Sequence, residues 1–265
     1  DGTMINLVYH NDEWIIQTRS EIGGNNSNYK SPKFKKLFDE CSSLIDYTSL
    51  DINHSYSFVM IHKKNRIVTP VSTNMLVLID VFEKKEGDIR RLPNEELVSL
   101  YKEHDGFEVI ESISLSDLQD VTLPWSCKGY TFRINDTLRY TWINPDYKYV
   151  LDLTKNNSDL CYHYIQLRTQ GLCTEYLKYF PEKRHIMDKY RTKIHTMTNE
   201  LYNEYKNIFV HKKKVMKESP FQLKPLLFKL HKQYLQTKQA ISWKDITQFV
   251  YNLPDKQVTF VIKYY

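Results

Sequence analysis

Met4-Ile5-Asn6-Leu7-Val8-Tyr9, then His10-Asn11-Asp12-Glu13, then Trp14-Ile15-Ile16-Gln17-Thr18 read as strand, turn and strand. β-Branched and aromatic side chains suit a pleated, half-buried surface, and Asn-Asp between such runs favours a tight hairpin. The pattern recurs outward. Ser55 to Ile61, Arg66 to Thr69 and Met75 to Phe82 are expected strands. Thr131 to Ile134 and Leu138 to Trp142 flank the turn pair Asn135-Asp136. Two helices are expected between them. Ser31-Pro32 reads as a cap and a first helical position, with Phe34, Leu37, Phe38, Cys41 and Leu44 on one face. A polar helix covers Asn94 to Glu103. Strands joined by short turns, with few helices between, point to antiparallel sheets with flanking helices.

After about Asp152 the periodicity becomes helical. Ile186, Tyr190, Ile194, Met197, Leu201, Tyr205 and Ile208 recur every three or four residues, which predicts a long amphipathic helix. Phe221, Leu227, Leu230 and Tyr234 predict another, and Ser242-Trp243-Lys244-Asp245 reads as a capping box opening a last short helix with Ile246, Phe249 and Val250 inward. The expected fold is therefore α+β: residues 1–152 form a sheet domain and residues 153–265 an all-α domain.

Charge divides the chain at the same place. Residues 1–152 carry 17 Lys+Arg against 23 Asp+Glu, whereas residues 153–265 carry 20 against 9. The net +5 is thus the balance of −6 and +11, and the second part reads either as a module for a polyanion or as Lys-rich solvated helix faces. Lys212, Lys213, Lys214 and Lys217 form its densest patch and the candidate RNA contact. The 20 tyrosines suit cores and nucleic-acid surfaces alike, and coding bias explains them equally well. Four scattered cysteines without a C-x-x-C pair argue against structural zinc and against a disulfide framework. No metal-ligating cluster is assigned. No apolar run reaches the roughly 18 residues of a membrane span, so a reducing intracellular setting, the cytoplasm, is expected.

Asp1-Gly2-Thr3-Met4-Ile5 resembles the end of K-x-D-G, the nucleophile motif of DNA ligases, RNA ligases and capping enzymes. Further matches follow in family order. Trp14 to Ser20 resembles the second motif and supplies Arg19. Tyr56-Ser57-Phe58-Val59 with Asn65-Arg66-Ile67-Val68 resembles the third, in the form found in phage-type RNA ligases. Lys128-Gly129-Tyr130 stands at the fourth motif, and Arg139 to Tyr147 resembles the fifth. The resemblance spans nearly the whole chain and lies nearest a giant-virus branch of these covalent nucleotidyltransferases. It implies ATP and Mg²⁺ as cofactors and RNA as substrate. Asp1 and Gly2 belong to the catalytic motif. Arg19, Phe58, Lys128, Gly129 and Arg139 fall at nucleotide-binding positions. The implied chemistry is covalent: a lysine takes AMP from ATP, and the AMP then activates an RNA 5′-phosphate for attack by a 3′-hydroxyl.

The chain departs from that pattern at several points. The K-x-D-G lysine would lie two residues before Asp1, so the chain is expected to be an N-terminally truncated piece, inactive by itself. Val59 replaces the usual Glu of the third motif, and Lys128 replaces the Glu of the fourth. Thr141 and Ile143 occupy the K-x-K positions of the fifth, with Arg139 two residues ahead on the same strand face. His62, beside the third motif, is read as a structural strand-end histidine. Three functions stay open: an RNA ligase whose parent carries the lysine, an inactive nucleotidyltransferase fold that binds RNA or nucleotide, and another nucleotidyltransferase such as a capping enzyme. Against the last, the tail is helical and not a β-rich oligonucleotide-binding barrel.

Overall fold

Asn11 (φ 49°) and Asp12 (φ 62°) are both left-handed, as a two-residue hairpin turn matched to the strand twist requires. They join β1 (Thr3–His10) to β2 (Glu13–Gln17) in antiparallel register, with Leu7 opposite Ile16. The computed structural model describes residues 1–27, 31–118, 122–135, 138–155 and 159–264. Asp136 of the expected second turn therefore lies outside the described residues. The chain divides into two compact units, Asp1–Asp152 and Leu153–Tyr265.

In the first unit β1 pairs with β3 (His54–Ile61), and β3 with β4 (Met75–Lys85), all antiparallel. The far side of β4 takes β5 (Asp88–Arg91) antiparallel and the two-residue β6 (Glu108–Val109) parallel. Alternation sets the two faces of this sheet. Ile5, Leu7, Tyr56, Phe58, Met60, Leu76, Leu78 and Val81 point to one buried side. That side is closed by α1 (Phe34–Cys41) through Leu37 and Phe38, and by α2 (Asn94–Tyr101) through Leu97 and Tyr101. Tyr56 stacks on Phe58, and the Tyr56 and Tyr101 hydroxyls meet at 3.1 Å, so the ring tips are satisfied inside the core. A register shift at Ser57/Phe58 turns the polar side chains of β4 onto the other face. A separate two-stranded sheet pairs β7 (Gly129–Arg133) with β8 (Arg139–Ile143), and α3 (Pro145–Thr154) follows.

Several expected boundaries are corrected. α1 begins at Phe34 behind Lys33, not at Ser31-Pro32, because the Ser31 hydroxyl donates to the Lys64 carbonyl and caps nothing. It ends at Cys41, which leaves Leu44 exposed beyond it. Arg66 to Thr69 is no strand: the Arg66 guanidinium donates to the Val68 carbonyl at 3.0 and 2.8 Å and bends the segment back on itself. α2 stops at Tyr101, short of Glu103.

In the second unit α4 (Leu160–Thr169) and α5 (Cys173–Tyr179) precede the 22-residue α6 (Arg184–Tyr205). α6 buries Ile194, Met197, Leu201 and Tyr205 of the expected stripe; Met187 is buried where Ile186 was expected, and Ile186, Tyr190 and Ile208 are half-buried. A π-helical turn, Lys206–Val210, widens its end. α7 (Lys224–Thr237) packs on α6 through Leu226, Leu227 and Leu230. α8 (Trp243–Tyr251) opens on the expected box: Asp245 N–H donates to the Ser242 hydroxyl, and Ser242 N–H to the Asp245 carboxylate at 2.8 Å. It is not the last helix, because α9 (Asp255–Lys263) follows and packs on α4 and α6. The Phe58 side chain is 0% exposed. Phe58→Ala is expected to cost about 3–5 kcal/mol of unfolding free energy, measured by urea titration, since a ring-sized cavity in this core cannot collapse.

Candidate functional site

Four segments that resemble ligase motifs are tied together by hydrogen bonds at one end of the large sheet. Gly2 starts β1 against β3 so closely that a Cβ would lie 2.6 Å from the Met60 carbonyl oxygen and 2.7 Å from a Val59 methyl. That approach aims the Asp1 carboxylate at the bent segment after β3, where Oδ2 accepts the N–H groups of Val68 (3.1 Å) and Thr69 (2.8 Å). Asn65, at the head of the same bend, donates to the Thr3 hydroxyl at 2.8 Å. Its own Oδ1 is buried without a partner, an acceptor open to a donor. The Thr69 hydroxyl donates to the Ser126 carbonyl at 2.7 Å, which brings in the loop leading to β7. Asn144, at the end of β8, holds that loop from its other side and ends this chain of hydrogen bonds. Its side-chain amide donates to the Leu123, Pro124 and Cys127 carbonyls, and its backbone N–H donates to the Lys128 carbonyl. Lys128 is itself exposed.

The second feature lies on the polar face of the large sheet. Asn6 accepts from the Ser57 hydroxyl at 2.9 Å, and Asp80 follows as Ser57's register partner. The Asp80 carboxylate is 3% exposed and is met by three guanidinium groups. Arg91 reaches Oδ1 at 2.5 Å, Arg133 reaches both oxygens at 2.9 and 3.1 Å, and Arg139 stands at 3.4 Å from Oδ2. Arg133 and Arg139 are cross-strand partners in the β7–β8 sheet, and Thr131 and Thr141 form the next pair on the same face. One carboxylate among three guanidiniums leaves two positive charges. Arg139 keeps 48% of its side chain in solvent, so the cluster offers planar donors to an anion.

The residues expected from sequence divide between these places. Asp1, Gly2 and Lys128 belong to the segments joined by this series of hydrogen bonds, and Arg139 belongs to the arginine cluster. Gly129 (φ 134°) is required by backbone crowding, because a Cβ would sit 2.1 Å from the Trp142 carbonyl oxygen. Phe58 is corrected: a ring wholly inside the core presents no face to a nucleotide. Arg19 is exposed on the turn after β2, and no bond among the described residues ties it to either group. His62 is structural, since its Nδ1 accepts the Lys64 N–H (3.0 Å) and its Nε2 faces Glu40 at 2.9 Å. In the second unit Lys214 is corrected as well. Its ammonium bonds both oxygens of the buried Glu204 carboxylate at 2.7 and 2.8 Å, so it anchors the loop and is not free for RNA. Lys212, Lys213 and Lys217 stay exposed.

Asp80, Arg91, Arg133 and Asn144 were missed from sequence. A single carboxylate inside the apolar run Met75 to Phe82 was the available signal, because an acid there must find cations when the strand is buried. An open cleft beside β6, lined by Cys41, Asn74, Lys102, His104 and Glu108, holds none of the expected site residues. Burial pushes the Cys41 thiol up to about 11, so it is no nucleophile.

No protein-family model matches the chain. It is 22% identical over 213 residues to an immediate-early protein ICP-46 homolog of Invertebrate iridescent virus 3, which covers 77% of this chain. The chain spans 47% of that relative's length. Asp80→Asn is expected to destabilise the first unit by about 3–5 kcal/mol in thermal or urea unfolding, because it leaves buried guanidinium groups uncompensated. Arg139→Ala, at a half-exposed partner, is expected to cost less than about 1 kcal/mol.

Proposed function

We propose that this chain is the nucleotide-binding portion and basic helical unit of an ATP-dependent RNA ligase of the covalent nucleotidyltransferase kind. The observation that carries the reading is the series of hydrogen bonds that runs from Asp1 through Val68 and Thr69 to Ser126, and from the same loop to Asn144. Segments that resemble four of the five motifs lie along it, which supports the reading; the second motif, with Arg19, is not part of it. The arginine cluster supplies what a triphosphate requires: fixed donors and net positive charge in a partly dry setting.

In this reading the K-x-D-G lysine of the parent protein stands two residues ahead of Asp1 and attacks the α-phosphate of ATP. A nitrogen–phosphorus bond forms as the bond to pyrophosphate breaks. AMP then passes to an RNA 5′-phosphate and leaves when a 3′-hydroxyl attacks. Arg133 and Arg139 hold phosphate oxygens, and Lys128 adds a cation near Asp1. Among the described residues no group of His, Cys, Asp and Glu is arranged to hold a metal ion. Mg²⁺ therefore fits as an ion carried in by the triphosphate, and no step depends on a metal held by this chain. No described helix is long and apolar enough to cross a membrane.

A second reading is favoured by a specific observation. Val59 lies against Gly2, where the family pattern has a carboxylate, and Lys128 replaces another. A fold so altered could bind nucleotide or RNA without transferring AMP. Adenylylation of the parent protein separates the two. With α-labelled ATP and Mg²⁺, label that survives a denaturing gel and disappears when the lysine two residues before Asp1 becomes alanine is the expected result. A folded parent that takes up no label supports the binding-only reading.

A further inference from the structure

Three aromatic rings stand together on the surface of the second unit. Phe221, just ahead of α7, meets Tyr264 with centroids 5.7 Å apart and Phe260 of α9 at 6.5 Å. Phe260 and Tyr264 lie 4.8 Å apart. Their exposures are 59%, 46% and 60%, far more than rings keep when they serve a core. Cations border them. Lys256 precedes Phe260 by one helical turn on α9 and is exposed. Lys217 and Lys224 flank Phe221 in sequence; Lys217 is exposed, and the Lys224 ammonium donates to the Lys217 carbonyl at 2.9 Å. Glu218, next to Lys217, turns its carboxylate to the Val215 N–H at 3.3 Å.

We infer that this patch is a stacking site for unpaired bases of a single-stranded RNA, with Lys217, Lys224 and Lys256 on its phosphates. The inference deepens the reading of residues 153–265 as an RNA-holding unit and rests on it. Charge decides the occupant. The unit carries +11, and an apolar protein surface would gain nothing from three lysines around the rings. A polynucleotide uses both parts at once: every base has a face to stack, and every linkage has a charge to neutralise. About half of each ring residue stays in solvent, which leaves apolar surface for a base to cover. Unlike the run at Lys212, this patch offers base contacts as well as charge.

The test is binding of a fluorescent 20-nucleotide oligouridylate to the full chain, without ATP, across a salt series. Phe260→Ala and Phe221→Ala are each expected to weaken binding roughly tenfold or more at every salt concentration, while Phe260→Tyr retains it. Lys217→Ala is expected to lower the log–log salt slope by about 0.7. Both phenylalanines are exposed, and an unchanged circular dichroism spectrum checks that each variant is folded. Wild-type affinity in both alanine variants would overturn the site, as would equal affinity for a duplex of the same length. Dimers broken by Phe260→Ala in a chain that binds no RNA would also overturn it and identify a self-interface. Because ATP is absent, a failure of adenylylation leaves this result standing.

Discussion

A carboxylate taken out of water costs several kcal/mol unless cations reach it, and those that reach Asp80 come from three strands. Arg91 belongs to β5, Arg133 to β7 and Arg139 to β8. Satisfying this one charge therefore fixes the edge of the large sheet and sets the two-stranded sheet over its polar face. The register shift in β3–β4 places Asp80 there, and apolar packing on the opposite face supplies the stability that tolerates it. The candidate phosphate site follows from the need to neutralise a charge buried inside the fold.

The hydrogen bonds that join the motif segments depend on the same placement. With β7 and β8 held by Asp80, the loop before β7 lies where Thr69 can donate to Ser126 and where Asn144 can tie the carbonyls around Cys127. Asp1 contributes acceptor geometry, and Gly2 contributes room. Local strain is confined to a few positions, such as Gly129, where only the absence of a side chain permits the strand to pass Trp142. Backbone crowding and loop hydrogen bonds thus meet at one end of the large sheet, while the buried charge sits on its polar face at the level of Ser57.

Much of the architecture was legible in the sequence, for local reasons. Alternation of Ile5 and Leu7, the Asn11-Asp12 turn, the stripe from Ile194 to Tyr205 and the Ser242 box are written in neighbouring residues. The short strands β5 and β6 were not, because two to four residues carry no usable period. Arg66 to Thr69 misled because β-branched residues suit a strand, whereas the Arg66 side chain bonds its own segment and bends it. Phe58 was misassigned for a related cause: a motif gives a residue's place in a chain, and only the pleat tells which face it occupies. Lys214 looked like its neighbours until Glu204, ten residues earlier on α6, was found to hold it. Asp80 required tertiary knowledge of three distant arginines.

The most direct test of the arginine cluster is calorimetric titration of the chain with ATP, set beside the Arg133→Ala/Arg139→Ala double variant. Each arginine offers charge-assisted hydrogen bonds of about 1.5–3 kcal/mol. Binding by the wild type that weakens at least tenfold in the folded double variant is the expected outcome. Undiminished binding in that variant, or no ATP binding by the wild type, would contradict the assignment of the arginine cluster as the phosphate site.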